Sequence, residues 1–138
     1  MPWEYLEDEA IADIGIQVNA DNIEQLLRDA VLSIANLMTD LDGLENDLRR
    51  KIVFEATTLD TLLYKILDEM VYLKDAELFF VKDATVKVKD YRADVEFIGT
   101  IFDRERHSIG NDIKAITLHE FYVKEENGGW TAHYIIDI

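Results

Sequence analysis

The chain has no cysteine, one proline, six glycines, and only fourteen basic residues against twenty-nine acidic ones. Each shortage excludes something. Without cysteine there is no disulfide, no thiolate metal site and no thiol nucleophile. With proline and glycine this sparse, no linker divides the 138 residues, and the length suits one domain spanning 1–138 with its own core. No run of about 18 apolar residues occurs, so nothing reads as a membrane-spanning helix. The opening "MPWEYLEDEA" is acidic and lacks the basic region of a signal peptide. A soluble, cytoplasmic protein is expected. The formal charge of −15 opposes phosphate-backbone binding, which relies on Lys and Arg displacing counterions. Neither direct nucleic-acid binding nor membrane association is expected. A basic protein partner or a hard cation suits this surface better, although acidity serving only solubility would look the same. Catalytic signatures are missing as well: no Gly-rich phosphate loop, no HExxH, no G-x-S-x-G.

What is present is strong patterning. "IADIGIQVN" (11–19) alternates, with Ala12, Ile14, Ile16 and Val18 on one face and Asp13, Gly15, Gln17 and Asn19 on the other. That is the pattern of a half-buried strand. Over 21–40, Ile23, Leu26, Leu27, Ala30, Val31, Ile34 and Met38 recur at helical spacing, and Asp21 with Glu24 has the spacing of a capping box. "DLDGLENDL" (40–48) is a polar connection; Gly43 comes too early, and the closing Glu is missing, for a calcium-binding EF-hand loop. "RKIVFEA" (50–56) reads as a second strand, and 57–75 as a second helix opened by Thr57, its charged residues on a solvated outer face. At an offset of 36 residues the apolar positions of the two strand–helix units coincide, Ile23 on Leu59 through Leu37 on Leu73. A duplicated unit and two unrelated amphipathic helices explain this equally well. Then come four segments rich in β-branched and aromatic residues, 78–89, 91–102, 112–125 and 130–138, the last pair separated by the hairpin signal "NGG". The expected fold is α+β: a mostly antiparallel sheet of about six strands with two helices on one face, in the order β-α-β-α-β-β-β-β.

Two aspartates stand out. Asp13 in "IADIGI" and Asp137 in "YIIDI" each interrupt branched aliphatics on a strand, where Asp is disfavoured. Both fall on the more polar face, so solvation alone would accommodate them. If the two strands are neighbours, carboxylates ~5 Å apart repel by ~3 kcal/mol at an effective dielectric near 20. A divalent cation would relieve that repulsion, and all-oxygen ligation suits Mg²⁺ or Ca²⁺. A chain ending at Ile138 would supply a third carboxylate one residue away. Of the three histidines only His107, in "DRERHSIGN", lies where a functional loop would be natural; His119 and His133 read as surface or packing residues.

"LEDEAIADIGIQVNA", "NIEQLLRDAVLSIANLMTD", "LDTLLYKILDEMVYL", "FDRERHSIGNDIKAITLHEF" and the closing "YIIDI", in this order over nearly the whole chain, resemble the archease family. The resemblance implies an accessory protein of the RNA-splicing ligase that joins tRNA exon halves, one that promotes GTP-dependent guanylylation of the ligase and repeated turnover. It implies no catalytic residue of its own. It also implies a divalent-metal site, Ca²⁺ or Mg²⁺, at Asp13, Asp137 and Ile138, with Lys114 supporting activity. His107 and Asp112 are the candidate partner contacts. The chain departs from the family at Ala10–Ile11, where His-Thr is usual, at Leu118, where an aromatic is usual, and at Asn111–Asp112, where Thr-Glu is common. A stand-alone metal-dependent phosphoesterase or nucleotidase is the rival reading, but it lacks an obvious general base beside the acids. A general chaperone would need a sizeable exposed apolar patch.

Overall fold

The computed structural model describes residues 2–6 and 13–138. The expected start of the first strand at Ile11 and the Ala10–Ile11 departure lie outside the described residues. Eight strands and two helices follow one another as β1 (Trp3–Leu6), β2 (Asp13–Ala20), α1 (Ile23–Met38), β3 (Leu48–Glu55), α2 (Leu59–Glu77), β4 (Phe79–Lys89), β5 (Arg92–Ile101), β6 (Ala115–Ile116), β7 (Tyr122–Glu126) and β8 (Gly129–Asp137). The α+β class and its helix–strand order are as expected, with three differences.

The first is a short strand, β1, at the edge beside β2, which the sequence does not announce because "WEYL" is too short to show a period. The second is that the strands form two sheets instead of one. The five-stranded sheet runs β1-β2-β8-β6, with β7 also paired to β8, and the three-stranded sheet runs β3-β5-β4. All the pairings are antiparallel. The two strand–helix units therefore feed different sheets. The helices bridge them: α1 packs on β2, β8 and β4, and α2 on β3, β4, β5, β6 and β7. The third difference is that the expected strand over 112–125 is split. Both β6 and β7 pair with β8, but the stretch between them carries more residues than β8 offers partners. The surplus is taken up in a turn where Glu120 adopts φ 52°.

Both helix starts lie one residue later than expected. Asn22, not Asp21, caps α1 by accepting from the Gln25 N–H at 2.8 Å, and Thr58, not Thr57, caps α2 by accepting from Thr61 at 3.1 Å. Glu24, the expected partner in the capping box, instead accepts from the Val88 N–H at 2.7 Å and ties α1 to β4. The "NGG" signal is realised: Asn127 and Gly128 both have positive φ, 54° and 78°, and turn β7 tightly into β8.

A single apolar cluster joins the layers, built on Ile16, Val18, Leu27, Ile34, Leu63, Phe97, Tyr134 and Ile136, among others. Among the described residues no helix is long and apolar enough to cross a membrane.

Candidate functional site

Strand alternation decides where the lone aspartates go. In β8, Ala132, Tyr134 and Ile136 are fully buried toward the helices, so Thr131, His133, Ile135 and Asp137 face outward. The same period puts Ile16 and Val18 of β2 in the core, and Asp13 with Asp137 on the outer side. The register then joins them: β2 and β8 pair over their full length, with Asp13 directly opposite Asp137 and Ile14 opposite Ile136. Directly opposed residues hold their Cβ atoms ~4.5–5.5 Å apart, and like charges so placed destabilise a sheet. Both aspartates are half-buried. Ile138 follows immediately, its side chain packed against the apolar cluster.

The other side of Asp137 is occupied by the segment carrying Lys114. β6 begins with Ala115 opposite Asp137, and the Lys114 N–H donates to the Asp137 carbonyl at 2.8 Å. Lys114 is itself exposed and makes no ion pair among the described residues. Its amide thus anchors at the carboxylate pair while its ammonium stays available. Asp13, Asp137, Ile138 and Lys114 are all brought to one end of one sheet. Among the described residues no group of three or more His, Cys, Asp or Glu side chains gathers anywhere as a metal cage. The donor set at this corner is two side-chain carboxylates, with any third oxygen coming from the main chain at Ile138. As oxygen-only donors they fit a hard cation and not a soft one.

The segment leading to Lys114 is held at three points. His107 is the first. Its side chain, a candidate partner contact by sequence, is fully buried. Its Nδ1 accepts from the Asp103 N–H at 2.9 Å, so the other nitrogen carries the proton and donates to Glu45 Oε1 at 2.8 Å. This hydrogen bond holds the Glu45 carboxyl below its ordinary pKa, and the Glu105 N–H together with Arg106 does the same for Asp103. The second is backbone: Gly110 and Asn111 donate to the carbonyls of Met38 and Leu37 at the end of α1, at 2.8 and 2.7 Å. A Cβ on Gly110 would come within 2.4 Å of the Leu37 oxygen, so only glycine allows this approach.

The third is Lys74, which sequence reasoning missed. It is only 7% exposed and donates to both Asp75 and Asp112 at 2.7 Å. Burial opposes its charge, but the two carboxylates outweigh that and leave its pKa raised. Asp112 is correspondingly lowered, chiefly by the Lys74 hydrogen bond. A signal for Lys74 existed: it continues the apolar stripe of α2, three residues beyond Val71 and four beyond Met70. Asp112, expected at a partner contact, is exposed despite this pairing. His133 hydrogen-bonds the Glu120 carbonyl and stacks on Tyr122, and His119 is exposed.

The sequence matches the Archease protein family (MTH1598/TM1083) over residues 3–138. Protein archease of Methanopyrus kandleri is 34% identical over 142 residues, spanning 100% of both chains. That of Pyrococcus furiosus is 31% identical over 99% of this chain and 98% of its own. In structure, protein 1598 of Methanobacterium thermoautotrophicum superposes with a TM-score of 0.72 at 26% identity, over 99% of each chain. An archease of Thermotoga maritima shares the fold, with a TM-score of 0.66 at 17% identity over 96% of each. This chain belongs to the archease family, whose members are accessory proteins that activate a tRNA ligase and are not themselves the catalyst.

Proposed function

We propose that this protein is a metal-binding accessory factor that activates an RNA-splicing ligase in tRNA splicing. It promotes GTP-dependent guanylylation of the ligase and its multiple turnover. The observation carrying this reading is the register that sets Asp13 against Asp137 at the open end of the sheet. Two opposed carboxylates are a liability in an isolated protein and an asset in one that presents a cation. Asp13, Asp137 and a main-chain oxygen of Ile138 would hold the ion, Ca²⁺ or Mg²⁺ by the hardness of the donors. A bound divalent ion would neutralise phosphate charge and orient a phosphoryl group in the partner's cleft.

The residues of this chain do the rest. The Lys114 amide fixes the Asp137 main chain, and its exposed ammonium offsets local negative charge or meets a phosphate. The −15 charge discourages RNA from binding this protein directly while favouring a basic active-site cleft as its docking place. The partner is therefore the ligase protein, in the cytoplasm.

The test is the rate of ligase guanylylation with GTP, with and without this protein. Stimulation by the wild-type chain is expected, and Asp13→Ala or Asp137→Ala should reduce it at least as far as the ~10–100-fold that losing an outer-shell metal partner costs. Full stimulation by both variants would sink the metal part of the reading. GTP hydrolysis by the isolated protein would favour the nucleotidase instead.

A further inference from the structure

The two edges of the three-stranded sheet are finished differently. Along β4 the edge is closed by α1: Glu24 accepts from the Val88 N–H at 2.7 Å, and Arg28 donates to the Ala84 carbonyl at 3.2 Å. The Asp83 side chain takes the Ala84 N–H, and a register shift between Val81 and Asp83 interrupts the strand. Such devices keep an edge from pairing with another chain. The middle of β3 has none of them, and its eight residues pair with β5 in one unbroken register.

The ladder decides which groups β3 leaves open. The Ala56 N–H bonds to the Tyr91 carbonyl, so even-numbered residues turn their polar main-chain groups toward β5 and odd-numbered ones turn theirs away. Both ends of the strand agree. The outward carbonyl of Arg49 accepts from the Arg50 guanidinium at 3.0 Å, and that of Glu55 from Lys65 at 2.8 Å. Between them the N–H and C=O of Lys51 and Val53 meet no partner among the described residues. The open stretch is therefore centred on Ile52.

Side chains on this edge name the occupant. A second β3 laid antiparallel, about a two-fold axis at Ile52, sets Lys51 opposite Val53 of the second copy and Val53 opposite its Lys51. All four open main-chain groups then pair. Arg49 comes opposite Glu55 of the second copy, and Glu55 opposite its Arg49. Both are available: Arg49 shares Glu96 with Lys51 at 3.8 and 3.6 Å, and Glu55 lies 3.7 Å from an Arg92 that also meets Asp94. Val53 is a large apolar side chain left 52% exposed, and the aliphatic stem of the opposing Lys51 covers it. Other registers fit worse. An axis at Lys51 or at Arg50 opposes that cation to itself, and one at Val53 puts Arg49 opposite Thr57 instead of an acid.

We propose that the β3 edge is a self-recognition surface, on which a second copy of this chain pairs antiparallel about Ile52 and joins two three-stranded sheets into one of six strands. A strand pairing alone buries less than the ~1,000 Å² of a stable interface, and each copy carries −15, so the dimer is weak and reversible. It uses none of Asp13, Lys114 or Asp137, which belong to the other sheet and its approach.

The experiment is sedimentation equilibrium of the full chain up to about 1 mM, with thermal unfolding of each variant. The average mass should rise with concentration from 16.0 kDa toward twice that value. Hydrogen exchange at the Lys51 and Val53 amides should slow over the same range. Arg49→Glu and Glu55→Arg should each weaken the dimer by about 10-fold or more. An equal mixture of the two variants should recover it, since both ends of the seam then join opposite charges. Lys89→Glu, on β4, makes the same change in net charge as Arg49→Glu away from this edge and should dimerise as wild type. A mass that stays at 16.0 kDa throughout overturns the proposal. So does a dimer whose Lys51 and Val53 amides exchange as in the monomer, a mixture that fails to recover, or a Lys89→Glu chain as impaired as Arg49→Glu.

Discussion

The outer face of the β2–β8 ribbon finishes differently at its two ends. At one end Thr131 lies opposite Asn19, and its hydroxyl donates to the Asn19 side-chain Oδ1 at 2.8 Å. That pair is complete. At the other end Asp13 lies opposite Asp137, two acceptors with nothing to donate to each other. The strands and the direct cross-strand register are the same at both ends; Thr131 is buried against an exposed Asn19, while Asp13 and Asp137 are both half-buried. A cross-strand pair chosen for stability would look like Asn19 and Thr131. On the proposed reading Asp13 and Asp137 are a pair completed by a cation.

The comparison is sharpened most by supplying that charge. Saturating Ca²⁺ or Mg²⁺ at 100 times its Kd should stabilise the wild-type chain by ~2.7 kcal/mol, visible as a rise in melting temperature. Asp13→Asn and Asp137→Asn should show little or no rise. Next in size is the effect of removing the repulsion without metal. In EDTA, Asp137→Asn should be more stable than wild type by ~1 kcal/mol or less, because it makes the charged end resemble the neutral one. The reverse change is smaller still. Thr131→Val breaks the complete pair and should cost ~0.5–1 kcal/mol, leaving the response to divalent ions untouched.

The smallest effect concerns the segment that carries Lys114. Glu45, Asp103 and Asp112 all have folded pKa values below their ordinary ones, so the unfolded chain takes up protons first. Their contribution is fully present above the ordinary carboxylate range and is lost as pH falls from that range down through the lowered folded values. Hydrogen exchange at 103–114 should therefore quicken on acidification before the core amides respond.

Much of this was legible in the residues, for physical reasons. Period-two alternation places Asp13 and Asp137 on outer faces, and the pairing of their strands, which the sequence leaves as a supposition, is what the register shows. Alternation does not encode which strand neighbours which, so the division into two sheets stayed hidden; it depends on β3 pairing with β5 across a long sequence separation. The helix caps were misplaced by one residue because Asp21–Asn22 and Thr57–Thr58 each offer two acceptable side chains, and only the backbone chooses. His107 reads as a residue of a functional loop and a candidate partner contact, and its burial is not visible in the sequence. The carboxylate that buries it, Glu45, lies 62 residues away, and no local pattern links them. Lys74 was masked by charged neighbours on the exposed side of its own helix.

Titration of metal-free protein with Ca²⁺ or Mg²⁺, followed by calorimetry, tests the central claim most directly. The account expects one saturable site in the wild-type chain that disappears in both Asp13→Asn and Asp137→Asn. The absence of saturable uptake, or uptake unchanged in those two variants, would contradict it.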